Sequence, residues 1–292
     1  ETTPEGGPDK NVFDIRQGVA ISFFVKREGQ EPETAGSCKT YYADLWGLQE
    51  EKYGYLLEND IDSVKWKQLE PESPYFFFVP KDFDLFREYQ RGWKVPDMFR
   101  VSSSGIKTHR DHFVIGFTLE DLCSRIAAFR DEAVTDDQIR DRFNLKNTRD
   151  WNLSNARGQV QTQDDWRQDF AECLYRPFDV RPIFYSEDVV EFPRLHVMQH
   201  LLCPNDALVT VRQLVSDYFR HVFVTEELGD GNAISISSRE YNYYFPLYLY
   251  TTPEDTAGTL FETDQVTREP NLSQQFIAAF EQRLRLKFLA DG

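Results

Sequence analysis

Short runs of aromatic and aliphatic residues are the feature that most constrains the fold of this chain. Residues 75–79 read YFFFV, and residues 243–250 read YYFPLYLY. Both runs are too short to span a bilayer and too aromatic for surface loops, so we expect buried β-strands. Further apolar runs predict strands at residues 19–25, 182–185, 207–212, 222–225 and 233–238. A hairpin turn is predicted at Asp230–Gly231, before the strand at residues 233–238.

Amphipathic segments predict helices between and after these strands. Residues 118–129 carry apolar side chains at helical spacing behind Thr118, which is a favourable N-cap. The last segment, residues 273–289, has one apolar and one polar face. Other helices are predicted at residues 48–57, 83–91, 135–143, 148–157 and 162–174. The irregular succession of strands and helices indicates a mixed α+β fold. A boundary between two parts of the chain is expected near residues 81–93.

The charge of the chain weighs against a polyanionic partner, but its distribution weakens that objection. The formal net charge is −16 at pH 7, whereas phosphate binding depends on lysine and arginine. Cations nevertheless concentrate in residues 92–112 and 139–149, and the acidic excess lies mainly in residues 28–72 and after residue 226. The net charge therefore does not exclude a nucleic-acid partner, provided that these cations share one face.

The motifs of common catalytic and metal sites are absent from the sequence. His109 and His112 are too close for the helical zinc motif, and Arg110 between them would repel a metal ion, so we expect no metal site. There is no G-x-S-x-G elbow and no Walker loop, and the one G-x-G lies in a predicted hairpin. The four cysteines lack C-x-x-C spacing, so we expect no disulfide and a reducing cytoplasm.

Polar and cationic side chains in turns beside the aromatic strands are the remaining signals. Residues 102–112, SSSGIKTHRDH, combine hydroxyl groups with two cations, and Gly105 would let a phosphate approach the backbone closely. A purely structural turn is the alternative. Residues 175–182, YRPFDVRP, hold two arginines and one aspartate, so an internal salt bridge competes with a DNA contact. Side chains able to read base edges end two strands at Arg212, Gln213 and Arg239.

Several segments, taken in order, resemble the C-terminal part of type ISP restriction-modification enzymes. They are NVFDIRQGVAISFFVKR, PYFFFVPKDF, EYQRGWKVPDMF, SSGIKTHRDHFVIGF, FNLKNTRDW, CLYRPFDVRPIFYS, PRLHVMQH and SSREYNYYFPLYLY. The resemblance implies edge strands of a methyltransferase-type α/β sheet in residues 11–82. An α+β target-recognition domain would follow in residues 83–292. Residues 1–10 form a polar tail rich in glycine and proline, which we expect to be disordered.

The resemblance also implies a function and a set of missing parts. Such enzymes join nuclease, ATPase, adenine methyltransferase and target-recognition domains, and they use S-adenosylmethionine, ATP and Mg. The family's N-P-P-Y tetrapeptide and cofactor loop are absent here, so we expect this chain to bind no cofactor and to transfer no methyl group alone. The implied partners are double-stranded DNA and the missing N-terminal domains, in a bacterial or archaeal cytoplasm and without a membrane.

The resemblance assigns roles to individual residues as well. Phe13 matches the phenylalanine that borders the flipped-base pocket, so it is the candidate for stacking on an extruded adenine. An ordinary core position is the alternative for Phe13. The expected DNA-backbone contacts are Ser103, Lys107, Thr108, Arg110, Lys146 and Arg149. The expected base or backbone contacts are Arg176, Arg181, Arg212, Gln213 and Arg239. A coupling module with protein partners only, and a self-sufficient methyltransferase, are the two rival functions.

Overall fold

The protein is described by a computed structural model that covers residues 2–15, 17–26, 38–215, 218–253 and 265–289. Two compact units divide the chain: unit 1 comprises residues 1–92 and unit 2 comprises residues 93–292. Helices accompany several small sheets, which confirms the mixed α+β fold class. Within the described ranges, none of the helices has the length and apolar character that crossing a membrane requires.

Unit 1 contains two short strands and two helices. Strands β1 (Thr40–Tyr42) and β2 (Lys67–Leu69) pair antiparallel, and helix α1 (Gln49–Glu58) lies between them in the chain. Helix α2 (Phe83–Tyr89) begins after Asp82, whose carboxylate accepts two backbone N–H groups of the first turn. Both helices confirm the sequence prediction to within one or two residues at each end.

The two predicted strands of unit 1 are not formed. Neither residues 19–25 nor residues 75–79 adopt strand geometry, and Phe24 is 85% exposed. The only sheet in the described part of unit 1 consists of two three-residue strands. Such a sheet cannot cover an apolar run on both faces, so the prediction of buried strands was wrong here.

The N-terminal segment is anchored where we expected disorder. The carboxylate of Asp9 is buried, forms an ion pair with Lys52 of α1 at 2.7 Å and accepts the N–H of Gly47 at 3.0 Å. The Lys52 ammonium group also donates to the carbonyl oxygen of Lys10 at 2.8 Å. A buried carboxylate needs a fixed partner, and Lys52 and the Gly47 N–H supply one for Asp9.

Unit 2 is built on two sheets and a separate strand pair. The first sheet has the strand order β3-β9-β6-β7 with antiparallel neighbours, formed by β3 (Ser103–Ser104), β6 (Ala207–Val211), β7 (Val222–Thr225) and β9 (Asn242–Pro246). The second has the order β5-β4-β8, formed by β4 (Phe170–Arg176), β5 (Asp179–Phe184) and β8 (Leu228–Gly229). Strand β4 pairs antiparallel with β5 and parallel with β8. Strands β10 (Tyr248–Thr251) and β11 (Thr267–Pro270) form the antiparallel pair.

Helices connect the strands of unit 2, and most of them contribute buried side chains to its core. They are α3 (Val95–Met98), α4 (Asp111–Val114), α5 (Leu119–Arg130), α6 (Asp136–Phe143), α7 (Leu153–Thr162), α8 (Leu195–Met198) and α9 (Gln274–Leu284). The hydroxyl groups of Thr118 and Thr135 cap α5 and α6, as their sequences predict. Fully buried side chains such as Phe113, Phe129 and Phe184 join α4, α5 and β5 into one core.

Several predicted elements of unit 2 are displaced or replaced. Residues 162–174 were predicted to be helical, yet they hold a 3₁₀ turn at Trp166–Asp169 and most of β4. Long-range pairing with β5 therefore overrides the local helical spacing. Helix α7 begins after Asn152 instead of residue 148, and residues 233–238 form no strand. Helix α9 stops at Leu284, where Arg285 has a positive φ of 56°.

Candidate nucleic-acid interface

Strand direction places several chain connections at one edge of unit 2. Because the neighbours in the four-stranded sheet are antiparallel, the ends of β3 and β6 lie beside the starts of β7 and β9. Beyond β3, Ile106 pairs in parallel with Asp230, which follows β8. Strand β8 in turn runs parallel to β4, so the end of β4 and the start of β5 belong to the same edge.

These connections carry exposed cationic side chains. Lys107 follows β3, Arg212 follows β6, Arg220 precedes β7 and Arg239 precedes β9, and all four are exposed. The hairpin between β4 and β5 adds two partly exposed arginines. The group is named the cationic edge and consists of Lys107, Arg176, Arg181, Arg212, Arg220 and Arg239. The exposed amide of Gln213 lies next to Arg212 in the chain.

A buried carboxylate holds three of these connections together. Glu240 accepts the N–H of Val215 at 2.7 Å and the hydroxyl of Ser235 at 2.6 Å. The same carboxylate lies 3.4 Å from the His221 ring nitrogen Nε2. The segments that follow β6, precede β7 and precede β9 therefore meet at Glu240, which limits how far their cations can move apart.

Glycines allow the extension of β3 to lie directly on the segment after β8. A Cβ atom on Gly105 would lie 2.7 Å from the backbone of Gly231, and the Gly231 N–H donates to the Ile106 carbonyl at 2.8 Å. The Tyr241 hydroxyl lies 3.4 Å from the carbonyl oxygens of Gly105 and Ile106. The sequence suggested that Gly105 admits a phosphate, but the close approach is made by the protein's own backbone.

Arg176 is held at the end of β4 by a buried aspartate. Its Nη1 donates to Asp230 at 3.1 Å, and its guanidinium group lies 3.9 Å from the centre of the Tyr175 ring. Burial raises the pKa of Asp230 to about 6, although the N–H of Asn232 and Arg176 both act to lower it. The salt bridge considered in the sequence analysis, between an arginine of residues 175–182 and Asp179, is made by Arg181, whereas Arg176 pairs with Asp230.

Arg181 is fixed from three sides at the start of β5. Its Nε and Nη2 atoms donate to the Asp179 carboxylate, and its guanidinium group lies 4.2 Å from the ring centre of Phe117 and 4.5 Å from that of Tyr175. The hydrogen bonds from Arg181 lower the pKa of Asp179. Arg181 thus presents its guanidinium fork in a defined orientation at the surface, as bidentate recognition requires.

Glu191 links the turn after β3 to the loop between α6 and α7. Its carboxylate lies 2.9 Å from His109 Nδ1 and 2.8 Å from Arg110 Nη2, and it also bonds Thr148. Burial alone would raise the pKa of Glu191, but these three hydrogen bonds together lower it. The loop that contains Lys146 and Arg149 is therefore tied to the turn that contains Lys107.

The surroundings of this second loop are less favourable to a polyanion. Arg149 is exposed and bonds the carboxylate of its neighbour Asp150 at 3.0 Å. A cleft of about 320 Å³ beside it is lined by further acidic residues, including Glu187 and Asp188. The exposed cation Arg149 therefore lies next to negative charge.

Three of the predicted site residues make hydrogen bonds within the protein. Arg110 is 3% exposed, donates to the carbonyl oxygens of Thr108 and Val189 at 2.9 and 2.8 Å, and stacks on the Trp151 ring at 3.8 Å. The buried Thr108 hydroxyl accepts the N–H of Arg110 at 3.0 Å. Ser103 lies within β3 and donates its hydroxyl to the Ser104 carbonyl. Arg110 and Thr108 therefore make buried internal contacts, whereas Ser103 is partly exposed, and contact of these side chains with a DNA backbone stays a prediction.

Phe13 lies in unit 1, and its environment bears on the two roles that the sequence allowed. Its ring is 54% exposed, and its N–H donates to the Asn11 side chain at 3.0 Å. Unit 1 itself therefore does not bury this ring. Stacking on an extruded base stays a prediction.

Sequence reasoning missed three residues of this surface. Arg220 had a usable signal, because it lies just before the predicted strand at residues 222–225, and antiparallel pairing of that strand with residues 207–212 would place it at the same edge. Arg194, 5.2 Å from the Phe192 ring centre, and Phe178 at the tip of the β4–β5 hairpin had no such signal. Both adopt positive φ angles that only the folded structure reveals.

Comparison with known proteins gives the chain a family. No curated protein sequence matches it. The solved DrdV–DNA complex gives a TM-score of 0.51 at 17% identity, covering 85% of this chain and 25% of that chain. A nuclease-deletion mutant of the Type ISP restriction-modification enzyme LlaGI, in complex with a DNA substrate mimic, gives 0.47 at 16% identity, covering 82% of this chain and 23% of that one.

The Type ISP restriction-modification enzyme LlaBIII bound to DNA gives a TM-score of 0.48 at 16% identity, covering 73% of this chain and 14% of that one. The chain therefore spans a quarter or less of the length of these solved chains. The family model for the Type ISP C-terminal specificity domain matches residues 97–290, well over half of the sequence. The chain belongs to the Type ISP C-terminal specificity domain family.

Proposed function

We propose that this chain recognises double-stranded DNA as the target-recognition part of a Type ISP restriction-modification enzyme. The observation that carries the proposal is the cationic edge, where strand topology gathers exposed cations in a chain of net charge −16. Membership of the specificity-domain family supports it. The DrdV structure, which shares the fold, is a complex with DNA, and this also supports it.

The residues of the interface form two groups, exposed cations on the connections and arginines oriented by contacts with aspartates and aromatic rings. Lys107, Arg212, Arg220 and Arg239 are exposed on connections and suit phosphate contacts, which position a protein on the duplex. Lys146 and Arg149 would add contacts at the second loop. Arg176 and Arg181 are oriented by aspartates and rings, and an oriented guanidinium fork suits the O6 and N7 edge of guanine. The Gln213 amide suits an adenine edge.

The chemistry of the parent enzyme would belong to neighbouring domains. There, an adenine of an asymmetric site would be methylated with S-adenosylmethionine, and ATP and Mg would serve translocation and cleavage. The residues described here include no group of three or more His, Cys, Asp or Glu side chains that fits a metal ion. Phe13 would contribute an aromatic face to the flipped adenine. Four unpaired cysteines agree with a bacterial or archaeal cytoplasm.

A second role is favoured by the apolar surface of unit 1. Ile21, Phe23, Phe24, Val25 and Leu57 are all largely exposed. Soluble proteins rarely expose so many large apolar side chains unless a partner covers them. A coupling module, which docks on the other domains of the parent through protein contacts only, is therefore the alternative function.

Fluorescence anisotropy with a random-sequence duplex pool separates the two functions. We expect the chain to bind at low salt and to bind more weakly as salt rises. The triple variant Lys107→Ala/Arg212→Ala/Arg239→Ala should bind at least about tenfold more weakly, since each phosphate contact contributes to affinity. The matched control, Lys94→Ala/Arg283→Ala/Lys287→Ala, removes the same charge from exposed positions outside the edge and should bind as the wild type does.

Two outcomes would contradict DNA recognition. If the wild-type chain does not bind the pool at low salt, the coupling role is left as the better explanation. If the control triple weakens binding as much as the edge triple, the attraction is a property of total charge and not of the cationic edge.

A further inference from the structure

The tip of the β4–β5 hairpin holds a phenylalanine in an unusual backbone conformation. A two-residue turn, Pro177–Phe178, joins the strands, and Arg176 pairs with Asp179 beneath it. Phe178 has a φ of 63° and is 91% exposed. Positive φ at the second central position of a turn favours glycine or asparagine, and it strains a bulky residue. Neither burial nor backbone preference accounts for an aromatic ring at this position.

The structure beneath the tip holds this ring in place. Strand β4 is paired on both sides, with β5 and β8, and a register shift at Tyr175 marks a β-bulge just before the turn. Bulges re-aim side chains and are frequent beside functional sites. Pro177 fixes its own φ, and one side of the Phe178 ring rests on Phe223 of β7 at 5.6 Å between centres. Strained residues that are held in this way cluster at binding sites.

The groups around the ring suit a nucleic acid better than an apolar protein surface. Arg176 and Arg181 lie on the two strands that lead to and from the tip, and both are partly exposed. Within the described residues, Arg176 Nη2 and Arg181 Nη1 make no hydrogen bond. An exposed ring between two arginines with free N–H groups matches a base stack, which offers π-faces beside polar edges.

We propose that Phe178 is a wedge that inserts between two stacked base pairs of the bound duplex, while Arg176 and Arg181 contact the base edges next to that step. The proposal rests on the proposed DNA recognition. Insertion of an apolar side chain unstacks one step and bends the duplex. The chain would then select DNA by how easily a step deforms, in addition to its base edges.

The probe for this proposal is a duplex that the wild-type chain selects from a random pool, with 2-aminopurine placed at successive positions. Binding of the wild-type chain should raise the 2-aminopurine fluorescence at one step, because unstacking relieves quenching. Phe178→Gly removes the ring and accepts positive φ, so its Tm should be unchanged or higher. Its affinity should fall about tenfold, as expected for a lost stacking contact, and the fluorescence rise should disappear.

Two further variants complete the test. Phe178→Trp keeps an aromatic wedge and should retain both the affinity and the fluorescence rise. Leu202→Ala removes another exposed apolar side chain, before the start of β6 at the opposite end of the sheet, and should change neither. If Phe178→Gly binds the duplex and raises the 2-aminopurine fluorescence as the wild type does, the wedge is overturned while DNA recognition stands. The same result is expected if the ring of Phe178 docks on a protein surface instead of DNA. If the wild type selects no duplex, DNA recognition itself is overturned, and the wedge with it.

Discussion

Several buried or partly buried arginines satisfy backbone carbonyl groups inside unit 2. Arg110 bonds the carbonyl oxygens of Thr108 and Val189 and the carboxylate of Glu191, and it thereby joins the turn after β3 to residues 189–191. Arg125 donates to three carbonyl oxygens at and after α4, and Arg157 donates to the Phe129 and Val134 carbonyls. At the scale of the residue, an arginine here either satisfies backbone carbonyls inside the protein or presents its charge at the surface.

The first prediction compares a buried arginine, Arg110, with an exposed one, Arg149. Arg110→Ala should lower the free energy of unfolding by about 3–5 kcal/mol, because Glu191 loses its buried partner. Arg149→Ala removes a side chain that is 91% exposed, so it should change that free energy by less than about 0.5 kcal/mol. Urea unfolding measures both. Equal and small effects would show that Arg110 does not make the contacts described.

The second prediction concerns the pH dependence that Asp230 imposes. Its folded-state pKa of about 6 lies above the ordinary value of 3.8, so the folded protein binds this proton more tightly than the unfolded chain. The stability from protonation is therefore fully present below about pH 4 and is lost as pH rises through about 6. The two-unit shift corresponds to about 3 kcal/mol.

Urea unfolding between pH 4 and about pH 7 measures this effect as a difference between variants. Wild-type protein should lose stability relative to Asp230→Asn as pH rises, and the difference should level off above about pH 6. Asp206→Asn, which neutralises an exposed carboxylate, serves as the control for lost charge. A constant difference across this range would contradict the raised pKa.

The sequence indicated which cationic side chains lie near strand ends, but it did not show which of them are exposed and which are buried. Lys107, Arg212 and Arg239 follow or precede strands in the sequence, and the structure exposes all three. Arg110 has the same local context as Lys107, yet its partners Val189 and Glu191 lie about eighty positions later. No local pattern shows that such distant residues will enclose it.

At the scale of the element, some helices and strands were predicted correctly from local sequence, and others were not. Helices α5 and α6 carry their own caps, and β7 was predicted at its observed bounds. Strand β4 was predicted as helix, because its strand geometry depends on pairing with β5 and β8. Helices with caps of their own and apolar strands such as β7 were thus predictable, whereas β4 was not, because its helical spacing conflicts with the pairing it makes in the fold.

The third prediction tests the contact that brings β3 to the segment after β8. Gly105→Ala should lower the free energy of unfolding by about 1–3 kcal/mol, because the new Cβ would meet the Gly231 backbone at 2.7 Å. Gly158→Ala is the matched control in α7, where a Cβ meets nothing within 4 Å. That change should raise stability by about 0.5–1 kcal/mol. Thermal unfolding measures both, and a stable Gly105→Ala protein would contradict the close approach.

At the scale of the whole molecule, charge is separated rather than balanced. The net charge of −16 describes the average surface, whereas the cationic edge is one place where topology concentrates the opposite sign. Electrostatic attraction falls off within about 10 Å at ordinary salt, so a nearby cluster outweighs distant acidic residues for a bound duplex. The acidic remainder would limit binding elsewhere on the protein.

The fourth prediction follows from this separation. Lys107→Ala should reduce the slope of log Kd against log salt by about 1, because one phosphate contact and its counterion release are lost. Arg181→Ala should leave the slope nearly unchanged and instead relax the preference for one base pair. Anisotropy titrations from low to high salt measure the slope. A reduced slope for Lys94→Ala, outside the edge, would contradict the assignment.

The position of the cationic edge has a consequence for how this chain can diversify. Four exposed cations lie on the connections and not in the strands: Lys107 after β3, Arg212 after β6, Arg220 before β7 and Arg239 before β9. Substitutions there leave the hydrogen-bonded ladders and the buried core intact. Exchanging these short connections would therefore change how strongly the chain binds a duplex, because phosphate contacts carry no sequence information. Two of the side chains proposed to read base edges, Arg176 and Arg181, lie within β4 and β5, so a change of target sequence requires substitutions in that strand pair as well.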